Sequence, residues 1–138
     1  MKKSTFYALS FTWGLPLTLA GGMVLLILRL CGVKSFPFGW CRAVKLGRRW
    51  GGVNIGLLLV SDHTSGSHVL LHEHGHALQN ACLGPLMPFL VCLPSSLRFH
   101  WRNLCKALGH PPKSPYDSVW FERQATELGR KYREKWLN

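Results

Sequence analysis

Hydrophobic positions divide the chain into two long apolar stretches separated by basic and turn-rich sequence. From Ser4 to Leu28 no residue is charged, and roughly 20 apolar residues suffice to cross a bilayer as a helix. This stretch therefore predicts an N-terminal transmembrane segment over residues 1–31, with the remainder, 32–138, forming one small domain. Gly14-Leu15-Pro16 and Gly21-Gly22 interrupt the run, which allows a kink or two half-membrane pieces, because proline removes a helical donor. No small-residue cleavage site follows the apolar core, so the segment reads as retained.

Gly32 to Gly52 mixes glycine, aromatic and basic residues and is expected to be an interfacial connection, with Trp40 and Trp50 at headgroup level. Val53 to Val60 is a short apolar run closed by the turn-prone segment 61–67, which predicts a strand or hairpin followed by a loop. A helix is then expected from Ser67, as N-cap, through Leu83, where Gly84-Pro85 stops it. Ala77 to Leu97 is again free of charge, but Pro85, Pro88 and Pro94 argue for a bent, buried or interfacial segment. Leu97 to Leu108 carries Phe99, Trp101 and Leu104 among Arg98, Arg102 and Lys106, the pattern of a basic amphipathic helix suited to a membrane surface. A last helix is expected from about Asp117 or Ser118, as cap, to Trp136, with Glu122, Ala125, Thr126 and Gly129 on one face. The fold class expected is mainly α: a transmembrane helix, then a small helical domain with a short strand or hairpin.

Charge narrows the partners. Seventeen Lys and Arg stand against six Asp and Glu, a formal net charge of +11, which suits an anionic surface or a nucleic acid. The apolar segment favours membrane lipid, and no nucleic-acid-binding module is recognisable. Only Lys2 and Lys3 precede the apolar run, while Arg29, Lys34, Arg42, Lys45, Arg48 and Arg49 follow it. That asymmetry places the body on the cytoplasmic side of a plasma membrane. Five cysteines without a CxxC pair indicate reduced thiols rather than a disulfide framework.

The chemistry concentrates in His72-Glu73-His74-Gly75-His76. Histidines four apart project from one helix face, close enough for both imidazoles to reach one Zn²⁺. Glu73 would lie beside the metal without ligating it, placed to accept a proton from a bound water. Zinc in catalytic sites takes a third protein ligand and leaves one position open. Glu122 is the leading candidate, with Asp62, His63, His100, His110 and Asp117 as alternatives. Tyr116 and His110 are the nearby side chains for stabilising an oxyanion.

The segments His72-Glu73-His74-Gly75-His76-Ala77-Leu78-Gln79-Asn80 and Trp120-Phe121-Glu122-Arg123-Gln124-Ala125-Thr126-Glu127-Leu128-Gly129 resemble gluzincin-type zinc metallopeptidases. In these an HExxH helix is completed by a glutamate on a later helix. That resemblance implies Zn²⁺ ligation by His72, His76 and Glu122, with Glu73 as the catalytic base acting on a peptide or protein substrate. Thr126 stands where gluzincins often have an acid that hydrogen-bonds a ligating histidine. The wider pattern, from Trp13-Gly14-Leu15-Pro16 to Gly84-Pro85-Leu86-Met87-Pro88, looks like a group of small, functionally unassigned bacterial membrane proteins, implying a bacterial plasma-membrane location. A second function fits the same motif: a zinc-stabilised membrane scaffold or adaptor without turnover.

Overall fold

The computed structural model describes residues 1–137, with side chains described for all but residues 117 and 134–137. Among the described residues five α-helices and four strands follow in the order α1 (Lys3–Ser10), α2 (Leu15–Leu30), β1 (Ser35–Phe38), β2 (Cys41–Lys45), β3 (Gly52–Ile55), β4 (Leu58–Ser61), α3 (Ser67–Leu83), α4 (Leu93–Ala107) and α5 (Trp120–Leu137). The strand order is β1-β2-β4-β3. β1 pairs antiparallel with β2, β2 parallel with β4, and β4 antiparallel with β3.

The sheet corrects the expectation of a mainly α domain with one strand or hairpin. The connection expected at 32–52 is in large part the β1–β2 hairpin. Its half-buried tryptophans pack against the body of the chain: Trp40 contacts the rings of Phe6, His74 and Tyr132, and Trp50 packs against Val44, Leu58 and Val60. Val53 to Val60 contains two strands because the chain reverses at Gly56, whose φ of 62° favours a residue without a side chain. The Asn54 amide braces that turn by donating to the Gly56 carbonyl.

Side-chain alternation along the strands gives the sheet two covered faces. Cys41, Ala43 and Leu59 face a core shared with Phe6 of α1, Leu70, Ala77, Leu78 and Ala81 of α3, and Tyr132 of α5. Val44, Leu58 and Val60 face the other way, where Val24, Leu25 and Leu28 of α2 cover them. All four residues of β4 are buried in consequence.

The expected transmembrane helix over Ser4 to Leu28 does not form as one rod. The chain breaks between α1 and α2 with a bend of 88°, and no single described helix is long and apolar enough to cross a membrane. α1 ends at Ser10, and Gly14 is the N-cap of α2 with Pro16 in its first turn, a position proline tolerates because its missing donor has no partner there. One face of α2 is committed to the sheet, while Leu19, Met23, Leu26, Ile27 and Leu30 stay exposed.

α3 spans Ser67–Leu83 as expected, with Gly66 rather than Ser67 as its N-cap. Its entry is organised by Asp62, whose carboxylate accepts from the backbone N–H of Trp50, Gly51, Thr64 and Ser65 and from the hydroxyls of Thr64 and Ser65. The Thr64 hydroxyl bond leads the interactions that hold this carboxyl well below the ordinary range. Asp62 is therefore a loop anchor that fixes Gly51 and Gly52 beside α3 rather than a metal ligand. After Leu83 the prolines at 85, 88 and 94 lead the chain through short turns into α4, and α3 and α4 with their flanking turns meet at 116°. That is the bent segment expected over 77–97. α4 extends the expected amphipathic helix at its N-terminus and stops before Gly109 at φ 78°.

α5 begins at Trp120, after a 3₁₀ turn at 116–118. The Ser118 hydroxyl, in that turn, accepts from Arg98. The side chains of Asp117 and Trp136 lie outside the described residues. Glu122, Ala125 and Gly129 are buried on one face against α3, with Thr126 partly exposed beside them. Two glycines set the spacing of this seam. A Cβ on Gly75 would lie 1.9 Å from the carbonyl oxygen of Ala125, and one on Gly129 would lie 2.0 Å from that of Leu71. The α3 and α5 backbones approach as closely as they do because neither glycine carries a side chain.

Candidate metal centre

The close α3/α5 seam brings His72, His76 and Glu122 together. His72 Nε2 lies 3.0 Å from Glu122 Oε2, His76 Nε2 lies 3.4 Å from the same oxygen, and the two Nε2 atoms are 3.1 Å apart. A tetrahedral ion held at about 2.0–2.1 Å needs donor atoms about 3.3 Å apart. All three edges match, and these three residues are the group of donors able to hold a metal ion among the described residues.

The other ring nitrogens define which atoms present lone pairs. His72 Nδ1 is 2.9 Å from Thr126 Oγ1. The Thr126 hydroxyl donates its one proton to the Glu122 carbonyl at 3.2 Å, so its oxygen accepts from His72 Nδ1–H. His76 Nδ1 is 2.7 Å from Gln79 Oε1. The Gln79 amide nitrogen donates to the Phe121 carbonyl and to Gln124 Oε1, both at 2.9 Å, which leaves Oε1 as an acceptor. Both histidines thus carry a proton on Nδ1 and turn Nε2 toward the carboxylate. Nε2 of both imidazoles and Oε2 of Glu122 thus face one point, which a proton on Nε2 or a cation can occupy.

Glu122 is fully buried. Burial opposes its ionisation, yet hydrogen bonds from His72, His76 and Ser95 keep its carboxyl well below the usual carboxylate range. Burial alone would lower His76, but its bond to Glu122 and the charge of Glu73 hold the imidazole above its ordinary value. A proton and a cation therefore compete for the same donors. Ser95 of α4 donates to Glu122 Oε1, the oxygen not shared with the histidines, and Ser95 Oγ is 3.2 Å from the Tyr116 hydroxyl.

Glu73 is also buried and makes no hydrogen bond among the described residues. Desolvation raises its pKa, partly offset by His76 and His72. A carboxylate tuned in this direction holds a proton more readily near neutral pH. The side chain sits beside β3, where a Cβ on Gly52 would approach Glu73 Oε1 to 3.0 Å. Glycine at that position keeps space open next to the acid.

The site opens into a cavity of about 860 Å³. Edge strand β3 forms one wall, α3 and α5 form the floor, and the other wall comes from Leu17, Met87, Val91, Ser95 and Phe99. Tyr116 lines it too, with burial pushing its hydroxyl up, so it stays a proton donor at neutral pH.

Of the sequence candidates, His72, Glu73, His76 and Glu122 meet in this cavity, with Tyr116 beside them. His63, His100 and His110 are exposed and outside the cluster, and the Asp117 side chain lies outside the described residues. His74, on the opposite face of α3, is fully buried and accepts from the Trp40 backbone N–H, and burial lowers its imidazole to about 3. Sequence reasoning missed two supporting residues. Gln79 stands three residues after His76 on the same helix, a spacing that marks neighbours. Ser95 arrives from a separate helix and carries no such signal. Comparison with protein-family models, curated proteins and solved structures yields no match to this chain.

Proposed function

We propose that this chain is a membrane-attached zinc hydrolase that cuts peptide bonds, with His72, His76 and Glu122 as the metal ligands. The observation that carries this reading is the triangle of donor atoms with edges of 3.0, 3.1 and 3.4 Å. Two imidazoles and one carboxylate form the ligand set of catalytic zinc sites that leave a fourth position open to water. The gluzincin-like pairing of an HExxH helix with a glutamate on a later helix agrees with it.

Bound zinc would supply a Lewis acid that polarises a carbonyl and lowers the pKa of water. The remaining steps belong to the protein. Glu73 takes a proton from the attacking water and returns it to the departing amine. Tyr116 donates a hydrogen bond to the oxygen of the tetrahedral intermediate. Thr126 and Gln79 hold the two imidazoles in the ligating tautomer, with Thr126 doing what an acid does in gluzincins. Ser95 fixes the carboxylate plane of Glu122. Edge strand β3 offers backbone donors and acceptors to an extended peptide.

Attachment to a membrane is supported by the apolar residues left exposed on α2 and by the net charge of +11.

The test is hydrolysis of unstructured peptides by the zinc-loaded chain. Activity is expected to disappear with a chelator and to return when zinc is restored. Hydrolysis that survives metal removal would contradict the assignment.

A further inference from the structure

The segment from Leu86 to Leu108 has two faces with opposite commitments. Met87, Val91, Ser95, Phe99, Arg102 and Lys106 line the metal cavity. Leu86, Leu90, Leu93, Leu97, Trp101, Leu104 and Leu108 point away from it and are 44–66% exposed. Their spacing of three and four residues is that of an apolar helical stripe.

A helix of this length is marginal in water unless an apolar face is buried against something. α4 contains no buried residue at all. It is tied to the rest of the chain mainly by polar contacts: Arg98 to the Pro115 and Tyr116 carbonyls, Arg102 to the Ser114 carbonyl, and Ser95 to Glu122. The stripe thus requires an outside partner.

Charge identifies that partner. Arg98, Arg102, Lys106 and Lys113 lie on or just after this helix, and none of them has a carboxylate ion-pair partner among the described residues. A second copy would bring another chain of net charge +11 to the contact. An anionic bilayer complements the apolar stripe and the excess positive charge of the chain around it, which holds no Asp or Glu between residues 74 and 116.

We infer that the Leu86–Leu108 stripe lies in the surface of an anionic bilayer, so that the helix forming one wall of the metal cavity is also its contact with lipid. The cavity then draws on polypeptide held at that surface, in preference to peptide free in solution. This substrate class rests on the hydrolase reading above; the docking does not.

The test is co-flotation of the full chain with vesicles of phosphatidylglycerol and phosphatidylcholine, and with phosphatidylcholine alone. Wild type is expected to float with the anionic vesicles, and Leu97→Glu/Leu104→Glu to partition at least about tenfold more weakly with helix and metal content unchanged. If the double variant loses helix content, Trp101→Ser carries the same comparison. Three results overturn the docking: wild type that stays unbound, a variant that floats like wild type, or a vesicle-free dimer that the double variant dissolves. A lipid-anchored peptide should be cut at least about tenfold faster than the same peptide free in the presence of vesicles. Equal rates overturn the substrate class and leave the hydrolase standing. No cleavage of either peptide by zinc-loaded, vesicle-bound protein overturns the hydrolase and the substrate class together.

Discussion

Glu73→Gln is expected to retain zinc and lose peptide hydrolysis by about 10²–10⁴-fold, the usual contribution of a positioned general base. The substitution keeps the size of the side chain and removes its ability to accept a proton. Glu73 makes no hydrogen bond among the described residues and lies beside the three ligands, so exchanging it leaves their geometry intact. Its raised pKa, driven first by desolvation, means that the rate should fall on the acid side as the carboxyl takes up a proton. In Glu73→Gln that acid limb should vanish from the residual rate. A variant that hydrolyses like wild type would remove Glu73 from the chemistry. Zinc binding without hydrolysis in the wild type would favour the scaffold or adaptor instead.

Gly75→Ala is expected to lose both thermal stability and metal affinity. The added methyl would meet Ala125 backbone atoms at 1.9, 2.5 and 2.8 Å, and a backbone cannot rotate aside as a side chain can. Restoring ordinary contact requires α3 and α5 to part by more than an ångström, which carries Glu122 away from His72 and His76. Overpacking of this kind costs about 1–3 kcal/mol, and more where the obstruction is rigid. Gly129→Ala should act alike through the Leu71 carbonyl, 2.0 Å from its Cβ position. Gly22→Ala is the control: nothing lies within 4 Å of that Cβ, and alanine favours a helix. Thermal unfolding and zinc titration of the three variants read the effect. Wild-type values for Gly75→Ala would show that the helix spacing does not set the metal geometry.

The His72/His76/Glu122 cluster was legible, the histidine pair locally and the glutamate through the resemblance. His72 and His76 share a helix face by spacing, and Glu122 stood out among four glutamates through its resemblance to a later-helix ligand. The bounds of α3 were legible too, with Gly84-Pro85 as the local stop signal, although the cap at its start is Gly66 and not Ser67. The sheet was less so. β1 and β2 are short and, with the Gly39 turn between them, carry aromatic and basic residues that also mark a membrane interface; only pairing, of β1 with β2 and of β2 with β4, makes them strands. The N-terminal segment was legible in composition but not in shape, because its apolar run breaks into two helices at an 88° bend. Val24, Leu25 and Leu28 of α2 are apolar because they cover the sheet, a demand that hydropathy does not distinguish from lipid. Ser95 was invisible because only the 116° bend after α3 returns it to Glu122.

The direct measurement is the metal content of the purified chain by elemental analysis, wild type beside His72→Ala, His76→Ala and Glu122→Ala. The geometry predicts about one zinc per chain in the wild type and loss of bound zinc in all three variants. A wild type that takes up no zinc on reconstitution, or a Glu122→Ala protein that keeps it as tightly, would contradict the metal centre on which the proposed function rests.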